Sequence, residues 1–267
     1  VRGSDEFAYG LQRMNEDIKY SASRLEACSN CFEILKDRLD RLCDFINSLE
    51  NVRQWSLWNH DPTVQEQSRK LRTTAVKALC DLEKYQSRRI HNEETQISEY
   101  IQKLSHSVRA DVTCMQVTER SKVVFIGSGA LPLSALTIAQ ESGAEVLCLD
   151  IDSEALELGR HMAAMSGLGS RVTFSHKRIS ELAVAREATH FIIASLVENK
   201  LELLEELKHA AHDQARILIR YGNGLKSLFN YPLEADLSED WTMNTLGTQG
   251  HLYDTIILER AIQLKGV

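Results

Sequence analysis

Two hydrophobic periodicities divide the chain. In the first part apolar positions recur at steps of three and four. Leu25, Cys28, Phe32, Leu35, Leu39, Leu42, Ile46 and Leu49 draw one stripe, which predicts a long amphipathic helix. The pattern breaks near Val52; Trp55, Trp58 and Asp61-Pro62 mark a turn, and a proline suits the first position of the next helix. Leu71, Ala75, Ala78, Leu82 and Tyr85 give a second helix, and Ile97, Ile101, Leu104 and Val108 a shorter third. No glycine interrupts Leu11 to Thr118, and no strand-like alternation appears there. Residues 1–118 therefore read as an α-helical bundle with the stripe as its internal seam.

After Glu119 the period changes. Lys122–Ile126 is a short β-branched run ending in glycine, as a buried strand requires. Further strands are expected at Glu145–Asp150, Arg171–Ser175, His190–Ser195 and Arg216–Tyr221. Helices are expected between them at Leu131–Ser142, Ser153–Ser166 and Asn199–His212. Alternating strands and helices imply a parallel, doubly wound sheet. Trp241–Leu246 and Leu252–Glu259 follow as a terminal antiparallel pair. The fold class is thus α/β, a Rossmann-like sheet of the class I methyltransferase type over residues 119–267, behind an N-terminal helical bundle.

Composition narrows the function. The chain has 267 residues, 43% hydrophobic and 26% charged, with a formal net charge of −7. An acidic protein is a poor nucleic-acid binder, which needs a basic face. No apolar run is long enough for a membrane span, and the first residues carry no apolar signal core. The six cysteines are scattered; Cys28 and Cys31 form a CxxC without a second pair and are expected as thiols, which fits a reducing cytoplasm. His209 and His212 share a helix face without a third ligand, so no metal site is expected.

The candidate chemistry begins at Gly127-Ser128-Gly129. The loop follows the first strand and precedes a helix, and the second strand ends at Asp150, where an acid can grip a ribose diol. A dinucleotide fingerprint would carry a third glycine; here Pro132 stands instead and removes an N–H that would face a pyrophosphate. A nucleoside without phosphate, such as S-adenosylmethionine, fits better. Asp150 and Ile151 form the acidic strand end, and Asp152 is the expected cap of the next helix. Ser180 lies where fold analogy puts an adenine. Ser195 and Leu196, at the end of the fourth strand, are expected to line the cleft. Arg220, Tyr221 and Asn223 lie at the carboxyl edge of the fifth strand, with Arg220 suited to a carboxylate.

These residues resemble a known family. Phe125-Ile126-Gly127-Ser128-Gly129-Ala130-Leu131-Pro132-Leu133 is similar to the FIGSGPLPL signature of nicotianamine synthases, with Ala130 in place of the proline usual in the plant enzymes. Phe191–Val197 resembles the family's fourth strand, and Arg220–Lys226 with Phe229–Pro232 resembles the bacterial branch that makes staphylopine-type metallophores. The resemblance implies transfer of the 3-amino-3-carboxypropyl (aminobutanoyl) group of S-adenosylmethionine to the α-amine of histidine, L or D, with release of 5′-methylthioadenosine. It implies an opine dehydrogenase acting downstream. It also implies a catalytic glutamate at Glu83, in Leu82-Glu83-Lys84-Tyr85, and a catalytic tyrosine at Tyr100.

The residues themselves support Glu83. It shares a helix face with Val76, Leu79 and Ile90, and apolar neighbours raise a carboxylate's affinity for a proton. Two other readings stay open: a methyltransferase with a helical lid, and a non-catalytic nucleoside-binding module. The helical seam also permits a homodimer.

Overall fold

Asp61 and Pro62 start the longest helix among the described residues. Asp61 Oδ1 accepts the amides of Thr63 at 2.8 Å and Val64 at 3.3 Å, satisfying two donors that no helical carbonyl reaches. The computed structural model describes residues 3–28, 30–92, 108–246 and 252–261. They fall into two units, the first from Val1–Gln86, Tyr221–Leu233 and Thr248–Asp254, the second from Ser87–Arg220, Glu234–Gly247 and Thr255–Val267.

The first unit is helical: α1 (Ser4–Ser23), α2 (Cys31–Asn47), α3 (Leu49–Trp58) and the start of α4 (Pro62–His91). Its core joins Leu11, Leu35, Leu42, Leu71 and Ala75 to Leu225, Leu228 and Phe229 from a 3-10 turn at Gly224–Leu228.

The expected single helix from Leu25 to Leu49 is broken in two places. Leu25 lies in a turn before α2. Ser48, with φ −72° and ψ 123°, is extended and separates α2 from α3. The three-and-four spacing runs on through both breaks. Leu49, expected in the seam, is 76% exposed. The α1 helix, outside the sequence-read stripe, buries Phe7, Leu11 and Ile18. Cys28 and Cys31 are joined in a disulfide, with Cα atoms 5.3 Å apart, rather than standing as thiols.

Of the expected third helix, Ile97, Ile101 and Leu104 lie outside the described residues. Val108 belongs to a helical segment over 108–115, here α5, and is buried with Met115 in the second unit.

The second unit is a seven-stranded sheet in the order β3-β2-β1-β4-β5-β7-β6. The strands are β1 (Lys122–Ile126), β2 (Glu145–Leu149), β3 (Val172–Ser175), β4 (His190–Ile193), β5 (Arg216–Tyr221), β6 (Trp241–Leu246) and β7 (Asp254–Arg260). The helices α6 (Leu133–Ser142), α7 (Ser153–Met165) and α8 (Lys200–Ala210) connect them. Strands β1 to β5 pair in parallel and β6 with β7 antiparallel, Trp241 opposite Arg260. Val123, Phe125, Leu136, Cys148, Ile192 and Leu218 fill the core, as near-continuous apolar strands must when both faces are covered. The strand order reverses between β1 and β4, and such a switch point leaves a crevice at the carboxyl ends of the strands. No helix among the described residues is long and apolar enough to cross a membrane.

Candidate active site

Strand β1 ends at Ile126, and the chain then turns through Gly127 and Gly129, with φ of +80° and +67°. Side chains rarely tolerate that region. A Cβ on Gly127 would also lie 2.5 Å from Val197 Cγ2 and 3.3 Å from Ala194 Cβ. The Gly127 amide donates to the Leu149 carbonyl at 2.8 Å, which fixes the loop to the end of β2.

Asp150 follows directly. Its Oδ2 accepts the Gly129 amide at 2.8 Å and its Oδ1 the Asp152 amide at 3.0 Å. The carboxylate is therefore oriented by backbone on both sides, and each oxygen keeps a lone pair for a further donor. Asp152 caps α7 by accepting the amides of Glu154 and Ala155 at 3.0 and 3.2 Å. Between them Ile151 is 101% exposed. An aliphatic side chain held wholly in water beside an oriented carboxylate suits the flat face of a base next to its ribose.

The rest of the cradle is buried. Ser128 sits beside the Cys148 thiol; burial pushes that thiol well above its ordinary range, with the Ser128 hydroxyl acting in the opposite sense. Pro132 occupies the position before α6, so no proline N–H faces the loop. Ser87, near the end of α4 and wholly buried, donates its hydroxyl to the Ala130 carbonyl at 2.8 Å. Ser195 and Leu196 are half-buried in the turn after β4.

Ser180 is exposed in a 3-10 turn at Ile179–Glu181, and its amide donates to Glu206 Oε1 at 2.7 Å. This turn borders a cavity of about 390 Å³ lined also by Leu182, Arg186, Glu206 and His209. No residue of the glycine loop lines that cavity.

Arg220 is buried. Its Nη2 donates to Asp111 Oδ2 at 2.6 Å and its Nη1 to Ser134 Oγ at 3.0 Å, with the guanidinium 5.8 Å above the Phe125 ring. The group expected to take a substrate carboxylate is thus engaged by a carboxylate of its own chain.

The helical unit carries the remaining candidates. Glu83 is half-buried on α4, as are Val76 and Leu79 on the same face. Tyr85 stacks on Phe32, ring centroids 5.6 Å apart. Tyr221 is half-buried, and its phenol is raised above its ordinary value by burial and then by the Asp254 charge. Asn223 bonds Leu233 reciprocally, donating to its carbonyl at 3.0 Å and accepting its amide at 2.8 Å. That pair closes the loop between them. Lys226 Nζ meets Asp254 Oδ1 at 2.6 Å. Arg72 donates to the Ser227 carbonyl at 2.9 Å and lies 5.3 Å from the Tyr231 ring centroid. Tyr100 lies outside the described residues.

Ser87, Asp111, Ser134, Arg72 and Lys200, the first residue of α8, did not stand out in the sequence. Only Lys200 carries a local signal, a cation at the first position of a helix. Among the described residues no group of three or more His, Cys, Asp or Glu side chains is placed to hold a metal ion.

Residues 56–264 match the family described as Nicotianamine synthase protein. An L-histidine 2-aminobutanoyltransferase of Pseudomonas aeruginosa is 39% identical over 261 residues, covering 98% of this chain and 99% of the relative. One of the same name from Yersinia pestis is 34% identical over 252 residues, covering 93% and 94%. Crystal structures of MtNAS have the same fold at 18% identity, covering 92% of this chain and 97% of theirs. One, a glutamate-to-glutamine mutant in complex with S-adenosylmethionine, superposes with a TM-score of 0.73. Another, in complex with MTA and tNA, superposes with a TM-score of 0.74.

Proposed function

The chain belongs to the nicotianamine synthase family, and on that premise we propose that it transfers the aminobutanoyl group of S-adenosylmethionine to the α-amine of histidine, releasing 5′-methylthioadenosine. The observation that carries this reading is the pre-oriented Asp150 carboxylate, bonded at 2.8 Å to the amide of Gly129, in a chain collinear with a transferase named for that reaction. Both relatives are named for L-histidine, which favours that enantiomer as the acceptor.

The sulfonium supplies three electrophilic carbons, of which the γ-carbon of the methionine part is the one used here, with a neutral thioether as leaving group. The protein supplies orientation and a proton acceptor. Asp150 accepts the ribose hydroxyls; Ile151 covers one face of the adenine; Gly127 and Gly129 let the backbone approach closely; Ser195 and Leu196 line the site, whereas Ser180 borders a separate cavity and has no part in this reading. Pro132 suits a ligand without a pyrophosphate.

A peptide α-amine has a pKa of roughly 8; that of a free amino acid lies higher, so the acceptor amine is largely protonated near neutrality. It attacks only after losing that proton. Glu83 takes the proton in this reading, and Tyr221 packs beside the acceptor. Asn223 holds the segment that carries Tyr221, through its two bonds to Leu233. Arg220, tied to Asp111, sets the end of β5. The product keeps a primary amine, the group that an opine dehydrogenase consumes when it reductively joins an amine to a keto acid.

The test is product identification. The protein incubated with S-adenosylmethionine and either enantiomer of histidine is expected to yield 5′-methylthioadenosine and an aminobutanoyl-histidine. S-adenosylhomocysteine with methylated histidine would instead establish a methyltransferase. Cofactor binding without turnover on any amino acid would establish a binding module.

A further inference from the structure

Lys200 stands in a position that ordinary folding preferences oppose. Its side chain is 1% exposed, and a buried ammonium loses its hydration. It is also the first residue of α8, where the helix dipole presents its positive end and disfavours a cation. A charge placed against both preferences signals a local demand that outweighs them.

The structure shows where the charge goes. Nζ donates to the Ser195 carbonyl at 3.0 Å and to the Val197 carbonyl. Both belong to the turn that leaves β4. That turn is tied to β1, because the Ala194 amide donates to the Ile126 carbonyl at 3.0 Å, and it closes on itself through Val197 N–H to Ala194 O at 3.2 Å. Val197 and Ala194 are also the residues against which Gly127 packs. One ammonium thus fixes two carbonyls of a turn whose side chains rest on the first glycine of the cofactor loop.

We infer that Lys200 is a positioning residue for S-adenosylmethionine. It acts through the Ala194–Val197 turn: it holds Val197 on Gly127 and sets the backbone that carries Ser195 and Leu196. The ammonium needs no contact with the ligand. The inference rests on the reading that the glycine loop and this turn hold S-adenosylmethionine.

The experiment compares the full-length wild type with Lys200→Met, which matches the side chain out to Cε and lacks the ammonium and its donors. Direct calorimetry gives the affinity for S-adenosylmethionine, and steady-state kinetics give kcat and KM for each substrate. The expected result is an S-adenosylmethionine affinity weakened about tenfold or more. The histidine KM and kcat should stay within about twofold of wild type. Lys200→Arg, which keeps the charge and the donors, should recover part of the lost affinity. A role confined to stability would lower the melting temperature and leave the S-adenosylmethionine KM unchanged, and that result overturns the inference. Should Lys200→Met fail to fold, Lys200→Gln carries the same comparison with the same criterion. A wild type that binds no S-adenosylmethionine overturns the underlying reading. A wild type that binds it, beside a variant that binds equally well, overturns the role of Lys200 alone.

Discussion

The Asp150 carboxylate and the Gly129 amide, 21 residues apart in sequence, are joined by a hydrogen bond of 2.8 Å that locks the acidic end of β2 to the glycine loop after β1. Asp150 Oδ1 accepts a second backbone amide, from Asp152. Asparagine can serve only one of these two donors, because its amide nitrogen does not accept. Asp150→Asn is therefore expected to fold and to bind S-adenosylmethionine at least about tenfold more weakly, as expected for losing hydrogen bonds to a charged group. Calorimetric titration measures it; an unchanged affinity removes Asp150 from the ribose role.

The Arg220–Asp111 pair tests a different link, from burial to stability. The two side chains are 6% and 10% exposed and 2.6 Å apart. Removing one member strands the other charge in the interior. Asp111→Ala should cost about 3–5 kcal/mol of unfolding free energy, read from the urea midpoint. A loss under about 1 kcal/mol would show that water reaches the pair.

His190 gives the protein an acid limb. A carbonyl only accepts, so Nε2, 2.8 Å from the Met115 carbonyl, carries the hydrogen, and Nδ1 faces the Thr189 hydroxyl at 2.7 Å. Burial pushes the imidazole below its ordinary value and the Arg216 charge adds to this, while the Met115 bond opposes it. The folded pKa is depressed, so the unfolded chain takes up the proton first. This contribution is complete above about pH 6.5, the unfolded value, and is lost as the pH falls below it. Urea titrations between pH 7.5 and 5 should show a steeper loss in wild type than in His190→Gln, by at most about 1.4 kcal/mol per pH unit. Parallel profiles would mean that His190 titrates alike in both states.

Glu83→Gln separates proton transfer from cofactor binding. The variant is expected to bind S-adenosylmethionine within about twofold of wild type and to lose about a hundredfold or more in kcat, the scale of general-base catalysis. A turnover unchanged at neutral pH takes the base role from Glu83.

The sheet was legible because each of its signals is local. Buried parallel strands are short apolar runs, and Lys122–Ile126 and Arg216–Tyr221 appear with the bounds expected. Asp152 reads as a cap from its place alone, and it caps α7. The helical part was less legible because its periodicity does not register breaks. Ser48 interrupts α2 and α3 without disturbing the spacing around it, and Leu49 keeps the period while facing water.

Long-range pairings leave no trace in the order of residues. Asp111 lies 109 residues before Arg220, and nothing near Arg220 announces that it will be engaged. Ser87 and Ala130 are 43 apart, and a serine within a helix has no distinctive signature. Asn223 was readable as a polar group after β5. Its commitment to Leu233 appears only when the loop is closed.

In the proposed reaction the γ-carbon of S-adenosylmethionine, not its methyl carbon, is the one transferred. S-adenosylmethionine deuterated in its S-methyl group, incubated with the wild-type protein and L-histidine and followed by mass spectrometry, tests this directly. All deuterium is expected in 5′-methylthioadenosine, and the histidine product is expected to be unlabelled and to carry the aminobutanoyl group. Deuterium on histidine, with S-adenosylhomocysteine as the co-product, would contradict the proposed reaction.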